Sequence, residues 1–285
     1  MTAVRSIFFI FAFLSLSLLC SNTHAEEKTR TDYTLFHPVP DSEMRDFEAD
    51  RPGKSESPIS IDPGHFQFEI ALISYHLINN DDRLATNSSI HQYDILPFNF
   101  KLGLLTNIDI ELAFTPWIHQ SNEDSTNHGT GDTKLRVKYN FWGNEGAATA
   151  FAVIPSITFP TNQNKLGNEA IAGGLAFPFR VLLPSEVQLY VTIELNLNQN
   201  QSNSQYHSEF VSIVYLSHPL VQKLEGFVEL FNSLNHDGDP NWTATFDFGF
   251  AFKISNNLQL DTGLNLGLTQ GADVLNPTIG IAFRY

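Results

Sequence analysis

Lys134, Arg136 and Lys138 stand two residues apart, and Asp109 and Glu111 repeat that spacing with the opposite sign. In an extended chain, residues two apart share a face. The pattern therefore sets a ladder of three cations on one strand beside a pair of acids on another. Two kinds of chemistry fit. The charges line a selective aqueous path, or they pair across strands and brace a narrow interior. Both readings need a wall of strands with one polar and one apolar face.

The sequence supplies such strands from residue 63 to the end. In "HFQFEIALI", Phe66, Phe68, Ile70 and Leu72 oppose Gln67 and Glu69. "YDILPFNFKLGLL" sets Phe98, Phe100 and Leu102 against Asn99 and Lys101, and "IDIELAF" sets Ile108, Ile110 and Leu112 against Asp109 and Glu111. "AIAGGLAFPFRVLL" carries Arg180, and "EVQLYVTIELNLN" sets six aliphatics against Gln188, Thr192, Glu194 and Asn196. "NWTATFDFGFAFK" aligns Phe246, Phe248, Phe250 and Phe252 against Asp247 and Lys253, and "LQLDTGLNLGL" carries Asp261 among leucines. Parity in "HSEFVSIVYLS" and "LEGFVELFNSL" is less clean. The last strand, "NPTIGIAFRY", presents Ile279, Ile281, Phe283 and Tyr285 on one side and Arg284 on the other. An aromatic last residue suits a membrane interface and reads as the signal for membrane insertion.

About twelve such strands follow one another, each near the ~9–11 residues that cross a bilayer at a tilt. Short turns ("LTNID", "LPSE", "ISNNL") alternate with longer polar connections ("INNDDRLATNSSIHQ", "HQSNEDSTNHGTG", "TNQNKLGNEA"). Short turns on one rim and long loops on the other are the habit of outer-membrane barrels. The expected fold is all-β: a transmembrane antiparallel up-and-down barrel of about 12 strands, with both termini periplasmic. A soluble sandwich also alternates, but its outer face is strongly polar. Here charged residues are only 16% and Phe occurs 24 times.

Hydropathy does not contradict a membrane barrel. Mean hydropathy is −0.13, and half of each barrel strand faces a polar lumen. Residues 1–25 read as a cleaved signal peptide, with Arg5, the apolar run "SIFFIFAFLSLSLLC" and Ala25 before the cut. A lipoprotein site at Cys20 is a poorer fit because Leu19 precedes it. Cleavage removes the one cysteine, and loss of Arg5 takes the formal net charge from −15 to −16. No basic footprint for nucleic acid remains. Residues 26–62 are polar, aperiodic and rich in Pro. They form either a periplasmic tail or a plug in the lumen, with Asp50, Arg51 and Pro52 as the plug's candidate contacts.

Strand parity directs Glu69, Lys101, Asp109, Glu111, Lys134, Arg136, Lys138, Arg180, Glu194, Asp247, Lys253, Asp261 and Arg284 inward. Catalytic chemistry finds no matching constellation. His207 and Ser208 are neighbours on a strand and face opposite sides, and no Gly-x-Ser-x-Gly is present. "HDGDPN" (236–241) and Asp81–Asp82 read better as polar turns than as metal sites. No cofactor, metal or catalytic residue is expected.

The stretches "DRPGKSESPISIDPGHFQFE", "GDTKLRVKYNFWGNEG", "IPSITFPTNQNKLGN" and "LDTGLNLGLTQGADVLNPTIGIAFRY" resemble a bacterial family named for the meta pathway of phenol degradation. The resemblance covers most of the chain beyond the signal segment. It implies an exported outer-membrane transporter barrel for small, often hydrophobic or aromatic molecules, and carries no catalytic residues. The expected function is porin-like passive passage of such a solute across the outer membrane of a Gram-negative bacterium. The alternative is a closed structural barrel that binds through its outer loops. Outer-membrane lipid, lipopolysaccharide and the barrel-insertion machinery are the other expected partners.

Overall fold

A computed structural model describes residues 30, 32–79, 89–199, 205–236 and 242–285. The candidate signal peptide, Asp81–Asp82 and most of "HDGDPN" lie outside these residues. The period-two pattern forms fifteen strand segments: β1 (Phe66–Asn79), β2 (Ser89–Ile95), β3 (Phe98–Leu105), β4 (Ile108–Phe114), β5 (Trp117–Ser121), β6 (Thr126–Gly129), β7 (Thr133–Trp142), β8 (Thr149–Phe159), β9 (Ala172–Leu182), β10 (Gln188–Gln199), β11 (Tyr206–Val221), β12 (Leu224–Asn235), β13 (Trp242–Ser255), β14 (Leu258–Gly267) and β15 (Leu275–Arg284).

These segments make twelve passes of one antiparallel wall. The pairs β2/β3, β4/β5 and β6/β7 are each one pass with a break. Pro97 and Pro116 fall at the first two breaks, where a residue without an N–H cannot complete the ladder. Leu96, just before Pro97, takes a positive φ of 56°. Segment β6 lies inside the stretch read from sequence as a loop, so that connection is shorter than the composition implied. β1 pairs with β15 from Gln67↔Arg284 to Leu77↔Leu275 and closes the sheet. Phe66 and Tyr285 exchange backbone hydrogen bonds of 2.9 Å at the seam. Closure leaves no sheet edge for lipid to face.

The burial pattern is that of a barrel turned inside out. Leu135, Val137, Leu195, Leu197, Val228, Leu230, Phe250 and Leu260 are exposed on the outer face. Lys101, Asp109, Glu111, Lys138, Glu229 and Asp247 are at most 1% exposed. A bulge between Ala71 and Ile73 shifts the register of β1, so Ile73 and Tyr75 take over the outward side from Ile70. On β15, Ile279 and Tyr285 are exposed, while Ile281 and Phe283 are half-buried. Phe283 stacks on Phe68 at 5.5 Å and Tyr285 lies 5.5 Å from Phe66. An aromatic cluster therefore covers the seam from outside.

Candidate functional site: a loop inside the barrel

Residues 45–62 enter the barrel at the rim of short turns, reach its middle and return to the same rim. Two anchors hold the base. Arg45 donates to Glu145 at 2.8 Å and to the carbonyl of Thr106 at 2.9 Å. Asp62 accepts from Arg30 at 2.9 Å and pairs with Arg45 at 3.5 Å and Arg284 at 3.7 Å. The Ser60 N–H donates to Asn144, in the turn between β7 and β8. Arg45 and Ser60 are thus fixed at one rim, and residues 46–59 must loop upward between them. The return limb lies against β3 at Gly103, where a Cβ would collide with the carbonyl of Asp62.

Hydrogen-bonding side chains pin the apex to every quarter of the wall. Asp50 pairs with Lys101, which also lies 2.5 Å from Glu69. Arg51 donates to Asp261 at 2.8 Å. Lys54 donates to Asp247 at 2.9 Å and to Thr245 at 2.7 Å, while the backbone N–H groups of Lys54 and Ser55 donate to Glu229 at 2.9–3.1 Å. The hydroxyls of Ser55 and Thr192 are 3.1 Å apart. Glu56 pairs with Arg136, and Glu48 with Arg180. Pro52 faces Gly263 on β14.

Within the wall, the ladder and the acids meet. Asp109 is opposite Lys138 and Glu111 opposite Arg136. Glu111 forms ion pairs with Arg136 at 2.6 Å and with Lys138 at 3.2 Å. Asp109 accepts from the Ile61 N–H at 2.9 Å. Lys134 and Glu194, which share the inward parity, make no ion pair with each other. Lys253 lies exposed at the short-turn rim, beside the gap between loop and wall that Gln188 and Gln259 also line.

Around the apex, the acids Asp50, Glu56, Glu69, Asp109 and Glu111 outnumber the cations Lys101, Arg136 and Lys138. The oxygens of Asp50, Glu56 and Glu111 fall within 4.8 Å of one another. The same carboxylates pair with Lys101, Arg136 and Lys138, so they serve ion pairing in this structure. Burial pushes the Glu56 carboxyl up to about 8; Asp50 and Glu111 add to that rise and Arg136 opposes it. Burial also opposes ionisation of Asp50, but Lys101 and Lys138 outweigh it and hold that carboxyl below the ordinary range. Removing water from such pairs costs about as much as their attraction returns. The pairs therefore fix where the loop sits more than they stabilise it.

Sequence reasoning missed Arg45, Glu48, Asp62, Glu145 and Glu229. Four of these lie in aperiodic segments, where parity gives no direction. Glu229 lies in "FVELF", where Phe227 and Phe231 share its parity and mask the polar side.

The family model described as "Putative MetA-pathway of phenol degradation" matches residues 49–285. The chain belongs to this family. In this MetA-pathway family member the matched span takes in most of the loop as well as the barrel. Among solved structures, an outer membrane channel from Pseudomonas putida F1 is 13% identical with a TM-score of 0.60, over 84% of this chain and 100% of that one. The translocator domain of the autotransporter NalP from Neisseria meningitidis is 9% identical with a TM-score of 0.45, over 83% of this chain and 90% of that one. At these identities the first likeness is one of fold. Compared with curated proteins by sequence, the MetA-pathway chain matches none.

Proposed function

We propose that the chain is an outer-membrane channel for small molecules whose conduction is set by residues 46–59. One observation carries the reading: a loop held at both ends by one rim is pinned at mid-barrel to β3, β7, β10, β12, β13 and β14. The cavity left between the loop and the β10–β14 wall is about 50 Å³, lined by Phe47, Tyr190 and Tyr215 among others. That gap has room for water and is too small for an organic solute. Passage requires the loop to shift. When it does, Tyr190 and Tyr215 on the wall part from Phe47 of the loop and are uncovered, which suits the small hydrophobic or aromatic solutes that the family's name suggests.

In this reading the short turns and both termini face the periplasm, and the exported chain sits in the outer membrane of a Gram-negative bacterium after loss of its signal peptide. Lipopolysaccharide surrounds the long loops, and the insertion machinery reads the terminal Ile279–Tyr285 strand. We assign the interior to passage and not to catalysis, and most of its charged groups are committed to one another. The ion-paired filling also favours a second reading, in which the barrel is closed and acts through its outer loops.

A disulfide lock separates the two. Ser55 and Thr192 are replaced together by cysteine, and the protein is placed in liposomes with a panel of aromatics and fatty acids outside. The channel reading expects flux to be blocked when oxidised and restored by reductant. Flux that ignores the redox state removes the loop from the gate, and no flux in either state supports the closed barrel.

A further inference from the structure

Among the described residues, Lys134 stands unpaired in the middle of an interior where most cations are paired; Lys253, at the short-turn rim, is the other unpaired one. Lys101, Arg136, Lys138, Arg180 and Arg284 each face a carboxylate, as do Arg45, Arg51 and Lys54 of the loop. Lys134 has the same inward parity as Arg136 and Lys138, since Leu135 and Val137 between them are exposed on the outer face. Among the described residues its ammonium makes neither a hydrogen bond nor an ion pair.

Its position gives this vacancy a use. Lys134 is two residues farther from the short-turn rim than Arg136, which holds Glu56 of the loop. It therefore stands just above the loop's apex, on the floor of the vestibule that opens toward the long loops. Cross-strand neighbours on that floor are small: Lys134 is opposite Ala113 and Thr158, and Arg136 is opposite Ser156, itself opposite Gly174. Farther round the wall, the amides of Asn196 and Asn198 donate to Glu209, and that of Asn265 donates to Asn276.

We propose that Lys134 is a binding residue for the carboxylate of a small organic monoacid resting on the docked loop. An ammonium held partly out of water with no ion-pair partner gains most from a charged acceptor. The charges around it are Arg136, Glu56 and Glu111, already paired with one another, and the acid Glu194. Glu194 disfavours a multiply charged anion, so a single carboxylate with an uncharged body fits better than phosphate or a diacid. The proposal names a solute class for the lumen and rests on the channel reading for its purpose, but binding itself needs no passage.

The test is saturation-transfer NMR on the full mature chain in detergent, with benzoate as the probe and benzamide as its uncharged counterpart. Benzoate is expected to bind, and to bind about tenfold more weakly to Lys134→Met and Lys134→Gln, while Lys134→Arg keeps the affinity and benzamide does not respond. Heat-modified gel mobility confirms that each variant is a folded barrel, and the two neutral variants guard against one that fails to assemble. Benzoate that ignores both neutral variants overturns the proposal. So does displacement of benzoate by chloride or inorganic phosphate as readily as by acetate. Because no flux is measured, failure here is distinct from failure of the disulfide lock.

Discussion

Arg51 Nη2 lies 2.8 Å from Asp261 Oδ1, joining the apex of the inner loop to β14 across 210 residues of chain. The Asp261 side chain has no exposed surface, whereas that of Arg51 is 18% exposed. Loss of Arg51 would leave a buried carboxylate without its cation. Arg51→Ala is expected to cost on the order of 3 kcal/mol in loop docking, reduced by whatever water reaches Asp261. Single-channel recording should show more frequent openings, and a protease added at the short-turn side should cut within residues 46–59. A variant that conducts and resists proteolysis like the parent would show that this pair does not hold the loop.

Loop docking should weaken with rising pH. Glu56 has a docked value near 8 against an ordinary carboxylate value of 4.5. A raised value means that the protonated form is favoured when docked, so its contribution is complete below ~4.5 and is lost as pH climbs through about 8. Asp50 acts in the opposite sense: its lowered value contributes above the ordinary 3.8 and is lost on further acidification. Conductance is therefore expected to be least near the ordinary carboxylate range and to rise as pH climbs from about 5 to about 8. Glu56→Gln should flatten the alkaline limb. An alkaline limb unchanged in that variant would assign the titration to another group.

The outer face should reject charge in proportion to depth. Leu230 lies mid-way along β12 and is 47% exposed. Leu230→Arg is expected to cost about 2–4 kcal/mol at the membrane midplane, read from denaturant titration of the barrel in lipid vesicles. Arginine placed at Trp242, near the long-loop end of β13, should cost about 1 kcal/mol or less. Equal costs at both positions would contradict a lipid-facing band.

The wall was legible in the sequence because a strand declares its two sides every second residue. Lys134, Arg136 and Lys138 could be set beside Asp109 and Glu111 with no knowledge of the fold, and the register pairs them as the spacing implies. The signal fails wherever the period fails. The breaks at Pro97 and Pro116 and the bulge at Ala71 are local and hidden within continuous apolar runs. The loop is a harder case. Nothing in "DRPGKSESPISIDPG" separates a tail from a plug, because an aperiodic polar segment looks alike in water and in a polar lumen. Its contacts join residues up to 227 apart, and no local pattern reports such distances.

The seam between Phe66 and Tyr285 joins the residue that follows the inner segment to the residue that ends the chain. A hoop stays open until its last link is fastened, so this wall cannot close before β15 has reached β1. Trimming the last few residues would not merely shorten one strand; it would leave a ring without its clasp.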